Sequence, residues 1–267
     1  MIARRHTVKD DVRFEGLGLH SGLDVRAVVH PGTNGIAFSS GGSRTLALPE
    51  NISDTKRCTK LGPVSTIEHL MSAFAALEIT DAEVEVSEGE MPALDGASLQ
   101  YLESLVSAGL ADLGEYEVPE LFQRVFVQEG NIKIAIAKGS GRWRFCFDTG
   151  ERWPGCQEFE LNGFDSYAAD VAPARTFGFE EEVAPIILAG MARGLNAKSA
   201  LVIAEHGYRN EALFPDEPAR HKLLDLVGDI YLAGIPVRLL DVVAERSGHR
   251  TNVAAAIKLR AATFGCR

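Results

Sequence analysis

The sequence predicts an α+β fold built as two halves of similar plan. Three observations predict it. Apolar residues alternate with polar ones near the start of each half, as half-buried strands require. Each half then passes into a helix–strand–helix run with apolar spacing near 3.6 residues. Between the halves lies "ADLGEYEVPEL", an acidic stretch with Pro, Gly and little periodicity. Placing the boundary there gives 1–118, which carries Glu68 and His69, and 119–267, which carries His221, Asp225 and His249.

In the first half, "LDVRAVVHPG" alternates as a strand and is closed by Pro31-Gly32. "STIEHLMSAFAAL" is helical, with Ile67, Leu70, Met71, Phe74 and Leu77 on one face. "DAEVEVSEG" alternates again, and "LQYLESLVSAGL" reads as a second helix stopped near Gly109. In the second half, "RVFVQEGNIKIAIAKG" predicts a hairpin turning at Glu129-Gly130-Asn131, and "RWRFCFD" a further strand. A helix in "EEEVAPIILAG", a strand in "SALVIAE", a helix from Glu217 to Gly234, a strand in "VRLLDVVAE" and a helix in "TNVAAAIKLRAAT" complete the chain. The two halves echo each other only weakly in sequence.

Composition narrows the function. The formal net charge is −10 and the pI about 5.2, which argues against a nucleic-acid partner but leaves room for an anionic small substrate on a local Lys/Arg cluster. Cys58, Cys146, Cys156 and Cys266 are scattered without a C-x-x-C pair, against both a zinc ribbon and a disulfide framework. "MIARRHTVKDDVRFEG" lacks an apolar core after its basic residues, and no run is long and apolar enough to span a bilayer. A cytoplasmic protein without stable membrane insertion is expected.

The helix "EPARHKLLDLVGDIYLAG" raises the functional question. His221, Asp225 and Asp229 recur every four residues and so share one stripe of an otherwise apolar helix. The stripe is either a solvated edge or faces something polar, because a buried carboxylate needs a cation or a partner. His221 and Asp225 stand close enough on one face to bind a single cation, and zinc accepts imidazole nitrogen and carboxylate oxygen. His69 is the best third ligand. Glu68 beside it is then a candidate general base, since a carboxylate next to a metal-activated water commonly takes that role. Ser65-x-x-Glu68 also fits a capping box. Asp229 lies a turn further along and is better suited to holding a histidine charged, for which His249 in "RSGHRTN" is a candidate; His249 as a surface loop residue is the alternative.

Taken together, "GLGLHSG", "RCTKLG", "STIEHLMSAFAAL", "MPALDGAS", "ARTFGF", "RHKLLDLVGD" and "SGHRTN" resemble, in order and from end to end, the zinc-dependent UDP-3-O-acyl-N-acetylglucosamine deacetylases of lipid A biosynthesis. The resemblance implies two similar layered α/β sandwich domains with the active site between them. It implies zinc on His69, His221 and Asp225, a general base at Glu68, a catalytic histidine at His249 held by Asp229, and an oxyanion-stabilising threonine at Thr176. Lys222, Phe177 and His20 fall at substrate-binding positions, and a UDP-linked acylated amino sugar is the implied partner. Gly194 is followed by Leu195, Asn196, Ala197, Lys198 and Ser199 where the family has a Gly-Gly-Ser-Leu-Asp-Asn-like segment, which bears on the acyl passage. Pro63-Val64 shortens one connection, and Pro218-Ala219 replaces larger apolar residues. Two other readings stand beside this one: a related zinc amidase acting on another N-acetylated sugar, and a non-catalytic sugar-nucleotide binding protein. Phe177 and Phe179 read equally as substrate contacts or core.

Overall fold

The structure, a computed structural model, describes residues 1–265, so Cys266 lies outside the described residues. The first half contributes β1 (Ile2–Val8), β2 (Val12–Leu17), β3 (Asp24–Pro31), β4 (Ile36–Ser40), β5 (Ser43–Leu46), the short ribbon β6 (Ile52–Asp54) and β7 (Lys60–Leu61), α1 (Glu68–Ala76), β8 (Ala82–Val86), α2 (Leu99–Ala108) and β9 (Leu110–Glu117). The second contributes β10 (Val125–Glu129), β11 (Ile132–Lys138), β12 (Arg142–Asp148), β13 (Cys156–Asn162), α3 (Tyr167–Asp170), β14 (Thr176–Phe179), α4 (Glu180–Leu188), β15 (Ala200–Ala204), β16 (Gly207–Tyr208), α5 (Glu217–Tyr231), β17 (Leu240–Glu245) and α6 (His249–Phe264). The fold is α+β, as expected.

The weak sequence echo conceals a close structural one. One sheet runs β2-β3-β8-β4-β5 and the other β10-β11-β17-β12-β13. In each, the last strand to be made slots into the centre, antiparallel to one hairpin and parallel to the other. In each, one helix precedes that central strand and another follows it: α1 and α2, then α5 and α6. The second half inserts α3, the small sheet β14-β15-β16 and α4 before α5.

Each sheet buries one face. In β3, Val25, Ala27 and Val29 are buried while Asp24 and Arg26 are exposed, so the period-two pattern does what it predicted. The β10–β11 turn falls at Gly130-Asn131, with Glu129 paired to Ile132. "ADLGEYEVPEL" departs from expectation, because β9 occupies its first seven residues and pairs antiparallel with β1. Its side chains are only partly covered, so the alternation is faint. Among the described residues, no helix is long and apolar enough to cross a membrane.

Helices α1 and α5 meet in the middle of the molecule, and every residue of α1 is buried. A Cβ on Gly228 would lie 2.1 Å from the Glu68 carbonyl oxygen and 3.1 Å from the Ser72 nitrogen, so only glycine permits this approach. Ser72 Oγ donates to the Leu224 carbonyl at 2.8 Å and lies 2.5 Å from the Tyr167 hydroxyl. These contacts fix the start of α1 against the middle of α5, where the polar stripe lies.

Candidate functional site

Glu68 and His69 are the first two residues of α1. The expected capping box is absent: the N-cap is Ile67 and makes no side-chain cap bond. Thr66 adopts a left-handed backbone (φ 61°), which turns the chain before Ser65 can reach the helix. Freed from capping, Glu68 accepts the Thr59 backbone N–H on Oε2 at 3.0 Å. A β-branched residue at positive φ is strained by roughly 1–3 kcal/mol, a feature that gathers at functional sites.

The stripe on α5 is buried, which removes the solvated-edge reading. Asp225 Oδ1 lies 3.5 Å from His221 Nε2 and 3.6 Å from His69 Nε2, and it has no hydrogen-bond partner among the described residues. Ligand atoms of these three residues all lie within 4.8 Å of one another. His221 Nδ1 sits 3.0 Å from the Ala174 carbonyl, which can only accept, so Nδ1 carries the proton and Nε2 turns a lone pair to the cluster. Burial pushes the His221 imidazole down to about 4, keeping it neutral. Burial alone would raise the Asp225 carboxyl, but Lys222, His221 and His249 hold it well below the carboxylate range. Lys222 Nζ donates to Asp225 Oδ2 at 2.9 Å. An orphaned, ionised carboxylate oxygen between two imidazole nitrogens fits a divalent metal.

His249 begins α6 rather than lying in a loop, and it is buried. Its Nδ1 lies 3.1 Å from Asp229 Oδ2, while Nε2 faces Glu68 Oε1 and Asp225 Oδ2, each at 3.9 Å. Burial opposes its charge, but Asp229 and Asp225 prevail and push the imidazole up to about 9. For Glu68, burial raises the carboxyl against the pull of His249 and His69. The pair therefore consists of a carboxylate with elevated proton affinity facing an imidazolium.

Two residues that sequence reasoning missed tie this pair down. Thr59 Oγ1 donates to Asp229 Oδ1 at 2.6 Å, while the same residue's N–H holds Glu68. Asn252 Nδ2 donates to Asp229 Oδ2 at 3.0 Å. Nothing in the local pattern of "RCTKLG" marks Thr59; its role depends on contact across 170 residues of chain.

A cavity of about 450 Å³ opens over these groups. His20, Glu68, His69, Thr176 and Phe177 line it together with His221, Lys222, Asp225 and His249; Asp229 stands behind His249. Away from the polar cluster, its wall is Val183, Ile186 and Ile187 of α4, Leu195 and Ala197 of the following loop, and Leu201 and Val202 of β15. Phe177 meets the His221 ring edge-on at 5.9 Å. Phe179 lies under the Arg152 guanidinium, so neither phenylalanine belongs to the core. His20 is held by Glu90, which accepts its backbone N–H at 2.8 Å, and neither ring nitrogen of His20 has a partner among the described residues.

A family model described as LpxC, UDP-3-O-acyl N-acetylglycosamine deacetylase, matches residues 5–261. The chain belongs to this family. A UDP-3-O-acyl-N-acetylglucosamine deacetylase of Geotalea uraniireducens (strain Rf4) is 34% identical, over 94% of this chain and 86% of its own length. A protein of the same name from Leptospira biflexa serovar Patoc (strain Patoc 1 / Ames) is 32% identical, over 96% of this chain and 89% of its own. Leu195 and Ala197, which follow Gly194, belong to the apolar wall of the cavity.

Proposed function

We propose that the chain hydrolyses the acetamide of UDP-3-O-acyl-N-acetylglucosamine, giving the free amine and acetate, with zinc held by His69, His221 and Asp225. The observation that carries this is the Glu68–His249 pair beside a metal-fitting donor set, at the polar end of an apolar cavity, in a chain of this family. Bound zinc would supply Lewis-acid polarisation and a more acidic water. Glu68 removes the proton of the attacking water on Oε1, since Oε2 is engaged by Thr59. Thr176 lines the cavity, and its hydroxyl would donate to the tetrahedral oxyanion. His249, its Nδ1 anchored by Asp229, presents Nε2–H for the charge that develops or for the leaving amine. Lys222 keeps Asp225 ionised and flanks Phe177, with Nζ 5.6 Å from the ring centroid, where the sugar would lie. The apolar wall takes the 3-O-acyl chain.

The reading includes two domains, 1–118 and 119–267, meeting along α1 and α5, and a cytoplasmic location in keeping with a nucleotide-linked substrate. The test is acetate release by the zinc-loaded chain from the 3-O-acylated substrate, with the 3-hydroxyl compound alongside and Glu68→Ala as control. Acyl-dependent turnover lost in the control is expected. Equal turnover of both compounds would point to another N-acetylated sugar, and activity in Glu68→Ala would remove Glu68 from the reaction.

A further inference from the structure

Strands β12 and β13 carry a pair of thiols that the proposed reaction does not use. Trp143 and Phe145 of β12 turn into the core, so Cys146, one residue further on, faces outward. Cys146 pairs in register with Glu158, and Asp148 pairs with Cys156, which places both cysteines on one face at diagonal positions. Their sulfur atoms stand 3.2 Å apart. Cys156 is exposed and Cys146 partly covered. Glu158 stands within 4.8 Å of both sulfurs, but Arg144 donates to its Oε2 at 2.6 Å and competes for the carboxylate, while the two sulfurs face each other directly. That favours thiol chemistry over a metal.

We propose that Cys156 and Cys146 form a reversible redox site, in which Cys156 reacts with a peroxide and Cys146 resolves it to a cross-strand disulfide. A disulfide bond is about 2.05 Å long, so closing it needs a movement of about 1 Å by two side chains already in contact. The steps balance with hydrogen peroxide as oxidant. The Cys156 thiolate attacks one peroxide oxygen, the O–O bond breaks, and the departing hydroxide takes up the thiol's proton as water, leaving Cys156 a sulfenic acid. The Cys146 sulfur then attacks the Cys156 sulfur; the S–S bond forms, the S–O bond breaks, and the hydroxyl leaves with the Cys146 proton as a second water. Two thiols have lost two electrons and one peroxide has gained them.

The division of labour follows the surroundings. Burial and the contact with Cys156 push the Cys146 thiol up to about 12, so it waits protonated as the resolving partner, while Cys156 meets solvent. Cys156 meets solvent, so the bond once formed is open to attack by an external thiol and can be reduced again. This site does not depend on the deacetylase reading.

The experiment treats the reduced full chain with one equivalent of hydrogen peroxide and maps tryptic peptides. Cleavage after Arg144, Arg152 and Arg175 separates the two cysteines, so a bond joins peptides 145–152 and 153–175. The expected result is that linkage, a mass loss of about 2 Da, and complete reversal by dithiothreitol. In Cys146→Ser, Cys156 should stop at the sulfenic acid and be trapped by dimedone. The proposal is overturned by unreacted thiols, by Cys156 passing to sulfinic acid with the peptides unlinked, or by a bond from either cysteine to any other partner, including a second chain.

Discussion

Gly228→Ala sets two opposed effects against each other, and the structure decides the sign. In a helix interior, alanine is favoured over glycine by about 0.8–1 kcal/mol. Here the new methyl would stand 2.1 Å from the Glu68 carbonyl oxygen, where contact normally begins beyond about 3 Å. Both atoms belong to helix backbones, so relief requires α1 and α5 to part by roughly 1 Å, and overpacking of that kind costs about 1–3 kcal/mol. Overpacking therefore wins, and the melting temperature should fall by a few °C. The displaced carbonyl belongs to the proposed general base itself. Moving it off its position against His249 should lower kcat by roughly 100-fold, the scale for a 1 Å misplacement. The assay is thermal unfolding beside acetate release, with Ala73→Gly as a control that loosens α1 without the clash. A Gly228→Ala chain that melts higher and turns over normally would refute the close-approach argument.

Thr59→Val removes the hydroxyl donated to Asp229 while keeping the N–H held by Glu68; kcat should fall about tenfold with KM little changed, and Thr59→Ser should restore it. His249 is raised in the folded chain from about 6.5 to about 9, so its stabilising contribution is full below pH about 6.5 and disappears as pH rises through about 9. The metal-free chain should accordingly lose a few °C of melting temperature between pH 7 and 10, and His249→Gln should flatten that slope. Burial lowers the His69 imidazole, but Asp225 and Glu68 outweigh it and raise its proton affinity, so zinc must displace a proton. Zinc uptake near pH 7 by the chelator-treated chain should release protons, read with an indicator dye, in an amount that shrinks as pH rises; uptake without any release would contradict the raised proton affinity.

Much of this architecture could be read from the sequence where the signal is local. The period of four on α5 marks a polar stripe because three polar residues interrupt an apolar helix, and β3 and the β10–β11 turn follow from alternation and a Gly-Asn pair. β9 is faint because its faces are both partly wet. The insertion of β8 and β17 into the sheet centres is invisible for a different reason: strand order is set by pairings between distant segments, which no window of sequence reports. Around the proposed site, the ionisable residues stand out by type and spacing. Thr59, Asn252 and the Ala174 carbonyl do not, since they act only through what the fold brings beside them.

The donors of the cluster come from both repeats, His69 from α1 and His221 with Asp225 from α5. An ion gripped by both helices would therefore be a clasp as well as a catalyst. It would add to the stability of the whole molecule in proportion to the logarithm of free metal, and couple the opening of the helix pair to its own release. Chelation would then disarm more than the chemistry. It would withdraw one of the ties that keep Glu68 and His249 facing each other, so scarcity of the metal would be felt as loosened architecture along with lost turnover.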